Sequence, residues 1–248
     1  MGDLYTPLMD TYRKARVVAK QIAGIEPNVQ RGATIPLEFH GAPGCGWAIP
    51  KNVLDARSVV VDVGLGEELS FPASLITRYG CSVHGFDPTP RAIAFARRAD
   101  LPNFRLHELG VAGTEGEADF HLPSNEKNVS GSLARVDHLM GEVVRVRLVD
   151  LPAALELAGV NRIDLLKMDV EGAEYDILRS DSFKAASSKV GIFCVEFHHR
   201  WREFGKQSTI EAVRTLAELG FTCVWRSAAT NEEFTFVNRH VLANLAAA

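Results

Sequence analysis

The sequence predicts an α/β protein with a doubly wound, mostly parallel sheet. Short apolar runs, such as 163–168 and the run rich in β-branched residues at 58–62, alternate with longer segments of helical periodicity. Several of these runs end on or just before a carboxylate where a tight turn begins, which is typical of buried parallel strands. The chain has 248 residues, of which 46 % are hydrophobic and 23 % charged, and this is enough for one undivided core.

The first 50 residues are predicted to form an extension of helix and loop ahead of the main domain. Helical spacing runs from Tyr5 to about Ala23, and eight glycine and proline residues then interrupt residues 27–50. One short extended piece is expected at 35–39. We therefore expect a domain boundary near residue 50, with residues 51–248 forming the domain that carries the function.

Strands and helices alternate from residue 58 onward. Strands are expected at 58–62, 82–86, 104–107, 118–122, 143–148, 163–168, 191–197, 221–225 and 233–237, the last two as an antiparallel pair. Helices are expected up to about 79, at 90–99, at 151–158, from 174 to at least 178 and at 209–219. A polar loop at 123–132 interrupts the alternation, and a loop of this length is typical of a lid, a binding loop or an insertion.

Composition excludes several classes of protein. Lys and Arg total 27 and Asp and Glu total 31, so the net charge of −4 argues against a strongly basic nucleic-acid binder. No apolar stretch approaches the roughly 18 residues of a membrane helix. The four cysteines lack CxxC spacing and indicate reduced thiols. We expect a cytoplasmic protein without a nucleic-acid or membrane partner, and the sequence leaves a homo-oligomer open.

The first candidate site follows the strand at 58–62. Asp62, Gly64 and Gly66 form a D-x-G-x-G pattern there, and ligands of doubly wound sheets bind beyond the carboxyl ends of the strands. Glycines at this point let the backbone approach a ligand closely. The dinucleotide fingerprint needs a third glycine where this chain has Leu69, so the pattern alone leaves ligand binding and a plain turn equally open.

An acidic residue at the end of the next strand favours a nucleoside ligand. Asp87 lies 21 residues after Gly66, a spacing at which a carboxylate accepts hydrogen bonds from ribose hydroxyls. The alternative is an Asp-Pro turn in which Asp87 accepts only backbone N–H groups. Together with the glycine pattern, Asp87 favours an adenosine-containing cofactor.

The charge of the glycine loop favours S-adenosylmethionine over NAD. Glu67 and Glu68 stand where a pyrophosphate would need N–H donors and no like charge. The ammonium and sulfonium groups of S-adenosylmethionine suit acidic surroundings instead. The residues assigned to the cofactor are Asp62, Gly64, Gly66, Glu67, Asp87 and Gly110.

A second concentration of charge ends the strand at 163–168. Asp169, Glu171 and Glu174 follow this strand, and Lys167 lies within it. Asp169 is a candidate to orient the cofactor or a substrate hydroxyl, or to bind a divalent ion through oxygen. The alternative is structural: Glu171 and Glu174 occupy a first helical turn, where the helix dipole favours acids, and Lys167 is a paired charge.

The strand at 191–197 supplies the remaining candidate residues. Period-two alternation places Glu196 and His198 on one face and His199 on the other. Glu196 and His198 converge with Asp169 when the two strands are neighbours. We prefer a general base with its orienting partner to a metal site, because no spacing specifies a metal; a divalent ion is left open but not predicted. A structural histidine is the competing interpretation, above all for His199.

Taken together, these motifs resemble the FkbM-type methyltransferases, a branch of the Rossmann-like enzymes that use S-adenosylmethionine. The most specific match is IDLLKMDVEGAE at 163–174, and the segments 46–50, 62–67, 70–71, 86–90 and 195–199 are also similar. The resemblance covers about residues 46–237. It implies a seven-stranded sheet with the last strand antiparallel, methyl transfer usually to oxygen, and a cofactor over residues 62–66 and Asp87. The glycine loop departs from the more common family pattern at 65–68.

The sequence therefore predicts an enzyme that transfers a methyl group from S-adenosylmethionine to a hydroxyl of a small molecule, a sugar or a natural product. Asp169 and His198, with Glu196, are expected to position and partly deprotonate that hydroxyl. The polar loop is expected to close over the substrate. The residues assigned to the substrate are Asn128, Ser130 and Glu171. The alternatives are an NAD-dependent oxidoreductase and a non-catalytic module that binds the cofactor.

Overall fold

The computed structural model describes residues 5–125, 129–134 and 141–246 of the chain. Its strands are β1 (Leu37–Ala42), β2 (Cys45–Pro50), β3 (Val59–Val63), β4 (Ser82–Phe86), β5 (Phe104–His107), β6 (Gly110–Val111), β7 (Gly116–His121), β8 (Val143–Val149), β9 (Ile163–Met168), β10 (Val190–Glu196), β11 (Phe221–Arg226) and β12 (Glu233–Asn238). Its helices are α1 (Tyr5–Ile22), α2 (Ser70–Tyr79), α3 (Pro90–Ala96), α4 (Leu151–Ala158), α5 (Glu174–Arg179), α6 (Asp181–Ala186), α7 (Gly205–Glu218) and α8 (Arg239–Ala246).

Seven of these strands form one sheet in the order β11-β12-β10-β9-β3-β4-β5. The pairs from β10 to β5 are parallel, and β12 runs antiparallel to both β10 and β11. The prediction of a doubly wound, mostly parallel sheet whose last strand is antiparallel is therefore confirmed. β3 lies between β4 and β9. The chain first adds β4 and β5 on one side of β3, and it later adds β9 and β10 on the other side. This reversal opens a crevice at the carboxyl ends of β3 and β9.

The strands of the sheet follow the predicted apolar runs closely. β4, β5 and β9 coincide with their predicted bounds, and β3 is displaced by one residue. Val60 and Val61 on β3 are both fully buried although they point to opposite faces, because helices cover both sides of a parallel sheet. Helices α6 and α8 had no counterpart in the prediction. Within the described ranges, no helix combines the length and the apolar composition that crossing a membrane requires.

Helix α4 has capping residues at both of its ends. Asp150 precedes α4 and accepts a hydrogen bond from the N–H of Ala153 at 2.9 Å, which satisfies one of the free donors of the first turn. Pro152 lies in that turn, where its missing N–H costs nothing. Gly159 ends the helix in the left-handed conformation, with φ of 71°. α4 therefore has the bounds that the sequence predicts.

Residues 27–50, predicted to be mostly loop, contain a hairpin. β1 and β2 pair antiparallel along their whole length, and Gly41 and Gly44 take the positive φ values, 95° and 90°, with which the chain reverses. Trp47 and Ile49 are buried in the same apolar cluster as Val60 of β3. The extended piece expected at 35–39 overlaps the first half of β1, whereas β2 and the pairing of the two strands were not predicted.

A second, three-stranded sheet with the order β6-β8-β7 lies beside the crevice. β7 and β8 pair antiparallel and correspond to the predicted strands at 118–122 and 143–148. The polar loop predicted at 123–132 therefore begins just after the end of β7, next to the crevice. Its described part returns to β7, because Ser132 and His121 exchange backbone hydrogen bonds.

Candidate active site

A cavity of about 640 Å³ lies at the carboxyl ends of the central strands, a volume suited to a small molecule. Residues that follow β3, β4 and β9 line it, together with the end of β10 and part of the polar loop. Its charge is strongly unbalanced. The described lining residues with charged side chains are Asp62, Glu67, Glu68, Asp87, Asp169, Glu171 and Glu196, with Lys167 as the basic member. This excess of carboxylates favours a cationic ligand over a phosphorylated one.

The glycines assigned to the cofactor line this cavity, but they meet different constraints. Gly64 has φ of 80°, and a Cβ at this position would lie 1.7 Å from the carbonyl oxygen of Asp169. Gly66 has φ of 58° and faces open space. A Cβ on Gly110 would lie 2.6 Å from Cδ2 of Leu148. Close packing therefore accounts for Gly64 and Gly110, whereas Gly66 leaves free space beside the turn.

Asp87 is buried and organises the glycine turn. Its Oδ2 accepts hydrogen bonds from the N–H groups of Leu65 at 2.8 Å and Gly66 at 3.0 Å. Its Oδ1 accepts one from Thr89 at 2.7 Å. These contacts are the ones expected of an Asp-Pro turn, and they use three of about four acceptor positions of the carboxylate. The contact between Asp87 and a ribose hydroxyl stays a prediction, for which one acceptor position is left.

Asp62 forms a buried ion pair with Lys167. The Nζ atom of Lys167 lies 3.2 Å from Oδ1 of Asp62, and it also donates to the carbonyl oxygen of Gly64. Burial opposes a charge on Lys167, but the attraction of Asp62 and Asp169 outweighs it and raises the pKa of the lysine. The charge of Asp62 is therefore compensated inside the protein, as the structural alternative for Lys167 predicts.

The two glutamates of the glycine loop also have partners. Oε2 of Glu67 lies 2.8 Å from Nη2 of Arg91. Glu68 accepts a hydrogen bond from the N–H of Ser70 at 2.5 Å, which satisfies a free donor at the start of α2. Arg91 thus balances part of the negative charge on which the preference for S-adenosylmethionine depends.

Asp169, Glu196 and His198 come together, as the order of the strands predicts. β9 and β10 are neighbours in parallel register, so the residues at their carboxyl ends meet at one edge of the sheet. One oxygen or nitrogen atom from each of the three side chains lies within 4.8 Å of the others. Two carboxylates and an imidazole at this spacing are able to exchange protons, and they could also hold a divalent cation.

His198 is surrounded by carboxylates. Its Nε2 lies 3.1 Å from Oε2 of Glu171 and 3.8 Å from Oδ1 of Asp169, and its Nδ1 lies 3.1 Å from Oε1 of Glu174. Burial alone would lower the pKa of His198, but the hydrogen bonds to Glu171 and Glu174 raise it well above 6.5. The surrounding carboxylates therefore favour the imidazolium form of His198.

The two carboxylates nearest His198 have different protonation states. Burial raises the pKa of Asp169 to about 6. Burial, followed by the charge of Asp169, raises the pKa of Glu196 to about 9. At neutral pH Asp169 is ionised and Glu196 carries a proton. Oδ1 of Asp169 is buried without a hydrogen-bond partner among the described residues, which makes Asp169 the candidate proton acceptor of the cluster.

Glu174 begins α5, as the structural alternative places it, but its burial was not predicted. An acid placed by the helix dipole alone would be solvated, yet Glu174 is completely buried and contacts His198. It also accepts a hydrogen bond from the N–H of Gly172 at 2.8 Å. A signal was present in the sequence: Glu174, Ile177 and Leu178 have the spacing of one helical face. This spacing predicts burial, and a buried acid requires partners.

The three residues assigned to the substrate differ in where the structure places them. Ser130 lines the cavity in the described part of the polar loop, and Asn128 lies outside the described residues. Glu171 lines the cavity too, but its carboxylate contacts His198. Trp201, to which the sequence analysis gave no role, forms a further part of the lining, with its ring centre 4.9 Å from that of His198.

Comparison with curated proteins shows a relative whose sequence matches about half of this chain. The 2-O-methyltransferase NoeI of Sinorhizobium fredii (strain NBRC 101917 / NGR234) is 33 % identical over 137 residues, which cover 48 % of this chain and 56 % of that protein. The chain thus matches little more than half the length of this relative.

The solved structures that match this chain are distant from it in sequence. The fibrillarin pre-rRNA processing protein of Methanococcus jannaschii has a TM-score of 0.45 at 14 % identity, over 74 % of this chain and 67 % of that one. The Aeropyrum pernix fibrillarin in complex with natively bound S-adenosyl-L-methionine has a TM-score of 0.41 at 12 % identity, over 76 % of this chain and 68 % of that one.

The methyltransferase FkbM domain matches residues 58–223, two thirds of the chain. This protein therefore belongs to the FkbM methyltransferase family.

Proposed function

We propose that this protein transfers a methyl group from S-adenosylmethionine to a hydroxyl oxygen of a small molecule, a sugar or a natural product. The observation that carries the proposal is the convergence of Asp169, Glu196 and His198 at an acidic cavity beyond the parallel strands. Membership of the FkbM family and the similarity to a 2-O-methyltransferase support it.

The charge of the cavity supports S-adenosylmethionine and opposes a dinucleotide. A pyrophosphate would face seven acidic side chains, of which Glu196 is protonated, and one lysine among the described lining residues. It requires a cradle of N–H donors instead. A sulfonium and an ammonium group gain from the same field. When bound, S-adenosylmethionine supplies a methyl group on a positively charged sulfur. The residues proposed to hold it are Asp62, Gly64, Gly66, Glu67, Asp87 and Gly110.

Asp169 is proposed to accept the proton of the acceptor hydroxyl. An aliphatic hydroxyl has a pKa far above neutrality, so its oxygen becomes a better nucleophile as a nearby base takes the proton. The raised pKa of Asp169 makes it a stronger base than an ordinary aspartate, and it is still ionised at neutral pH. The imidazolium of His198, 3.8 Å away, keeps this carboxylate in place. The protonated Glu196 is able to donate a hydrogen bond to the same hydroxyl.

Trp201 and Ser130 are proposed to complete the acceptor site. Both line the cavity, one as an apolar wall beside His198 and the other as a hydroxyl at its rim. An aromatic face next to carboxylates suits a ring that carries several hydroxyl groups, since the ring packs on the indole while its hydroxyls reach the acids.

Calorimetry tests the cofactor, and an assay of methyl transfer tests the reaction. We expect S-adenosylhomocysteine to bind and NADH not to bind; the opposite result refutes the cofactor. Methyl transfer is then measured with a panel of methyl glycosides and hydroxylated natural products. The matched control is Asp169→Asn, which is expected to bind S-adenosylhomocysteine but to lose turnover. Binding without transfer to any member of the panel would support the non-catalytic alternative.

A further inference from the structure

A buried carboxylate from the first part of the chain contacts the residues next to His198. Glu26 follows α1 and lies outside the family match, which begins at residue 58. It is 4 % exposed. Its Oε2 lies 2.7 Å from Nε2 of His199, and its Oε1 lies 2.9 Å from Nε of Arg200. One residue near the start of the chain thus holds both residues that directly follow His198.

Four donors converge on this carboxylate. Besides His199 and Arg200, the side chains of Asn231 and Lys20 donate to it at 3.2 Å and 3.3 Å. Burial alone would raise the pKa of Glu26, but the hydrogen bonds from its partners lower it to about 2. A carboxylate accepts from all four donors, whereas an amide of the same shape would turn an NH₂ group towards some of them. The contacts therefore require the charge of Glu26 as well as its shape.

The segment that Glu26 contacts carries one residue of the Asp169 cluster and one residue that lines the cavity. Residues 198–204 form turns between β10 and α7. His198 belongs to the catalytic cluster, and Trp201, whose N–H donates to the carbonyl of His198 at 3.1 Å, lines the cavity. Because helix or sheet hydrogen bonds do not fix this segment, its position depends on side-chain contacts.

Adjacent residues of this segment are held by different carboxylates. Glu174 holds His198, and Glu26 holds His199, whose ring points away from the cluster as strand alternation predicts. Nδ1 of His199 is buried without a hydrogen-bond partner among the described residues, so the contact with Glu26 is the hydrogen bond that orients this ring.

We infer that Glu26 is a positioning residue of the active site, which acts through His199 and Arg200 on the segment that places His198 beside Asp169 and Trp201 at the cavity. The effect of Glu26 on turnover rests on the proposed function, whereas its effect on the segment does not. The extension before residue 58 is then required for full activity of the family domain.

The test compares Glu26→Gln with Lys20→Gln in the full chain. Lys20→Gln is the matched control because it removes one donor to Glu26 and leaves the contacts with His199 and Arg200 in place. In Glu26→Gln we expect amide hydrogen exchange over residues 197–204 to become about ten-fold faster or more. We also expect the imidazole resonance of His198 to move in a histidine-labelled sample. In Lys20→Gln both readouts stay as in the wild type.

Catalytic readouts separate positioning from general loss of structure. In Glu26→Gln we expect kcat for the acceptor found by the panel to fall about ten-fold, with the affinity for S-adenosylhomocysteine unchanged within two-fold. Should Glu26→Gln fail to fold, Arg200→Gln removes one of the two links and is expected to change the same readouts less strongly. Unchanged exchange and an unchanged His198 resonance in the folded variants overturn the inference. A wild type that transfers no methyl group refutes the proposed function, while exchange and the His198 resonance still decide the role of Glu26.

Discussion

Oε1 of Glu174 lies 3.1 Å from Nδ1 of His198 and 2.9 Å from the backbone nitrogen of the same residue. One buried oxygen therefore fixes both the ring and the main chain of His198. The opposite ring nitrogen is thereby directed towards Asp169 and Glu171. A carboxylate that orients a histidine in this way determines which nitrogen faces the reacting group.

We expect Glu174→Gln to lower the titration midpoint of His198 and to reduce turnover. The substitution removes one of the two carboxylates that hold the imidazolium, so the pKa of His198 falls towards 6.5. The loss of a charged, buried hydrogen bond also destabilises the fold by roughly 1–3 kcal/mol. Histidine NMR over pH 5–9 measures the midpoint, and denaturant unfolding measures the stability.

The control for Glu174→Gln is Asp176→Asn on the same helix. Its side chain is 82 % exposed and forms an ion pair with Arg179 on the same helix at 2.7 Å, so both readouts should match the wild type. An unchanged His198 midpoint in Glu174→Gln would show that the contact between the two side chains does not set the charge of the ring.

The pH dependence of kcat/KM is expected to have its acidic limb near pH 6. Asp169 accepts a proton only when it is ionised, and burial raises its pKa from 3.8 to about 6. Below this value the fraction of ionised Asp169 falls about ten-fold per pH unit, and the rate falls with it. An ordinary aspartate would keep the rate constant down to about pH 4.

Asp169→Asn is the variant that tests the origin of this limb. It should lose most of the turnover, and the residual rate should no longer depend on pH between 5 and 7. A residual rate that keeps the same limb assigns the limb to another group. The affinity for S-adenosylhomocysteine, measured by calorimetry, should change less than kcat does.

The local parts of the fold could be predicted from the sequence, and so could the meeting of the acids at the ends of β9 and β10. β4, β5 and β9 were predicted at their observed bounds because each is a short apolar run between turn residues. The meeting of Asp169 with Glu196 followed from the parallel order of β9 and β10. Both results depend on periodicity and on rules for the connection of strands.

Contacts between distant residues leave no such local pattern. Glu26 and His199 are 173 residues apart, and neither residue taken alone indicates its partner. The hairpin of β1 and β2 was missed for a related reason: its turn glycines were visible, but the packing of Trp47 against the sheet depends on β3. The edge of the sheet where the site lies could therefore be predicted, whereas the partners of each side chain became visible in the structure.

Asp87→Ala is expected to weaken binding of S-adenosylhomocysteine by roughly 1–3 kcal/mol, which is about 5- to 150-fold in Kd. The substitution removes the acceptor that orders the N–H groups of Leu65 and Gly66, together with the acceptor position left for a ribose hydroxyl. Calorimetry measures the change. Asp100→Ala, which removes an exposed acid outside the cavity, is the control and should bind as the wild type does. Equal affinity of the Asp87 variant and the wild type would contradict the assignment.

Substitution of the two loop glycines by alanine is expected to have unequal effects on stability. In Gly64→Ala the new Cβ would lie 1.7 Å from the carbonyl oxygen of Asp169, so the backbone of β3 or β9 has to move. We expect a loss of roughly 3 kcal/mol or more. Gly66→Ala meets open space and costs only the strain of a positive φ, about 1–2 kcal/mol.

Thermal and denaturant unfolding of the two alanine variants measure this difference. Because Gly66→Ala should stay folded, its affinity for S-adenosylhomocysteine reports on the turn itself. If S-adenosylhomocysteine packs against the turn, Gly66→Ala should bind it more weakly while its melting temperature stays near that of the wild type. Equal stability of the two variants would show that the turn after β3 can move away from Asp169, in which case the base and the glycine loop are not held in one fixed arrangement.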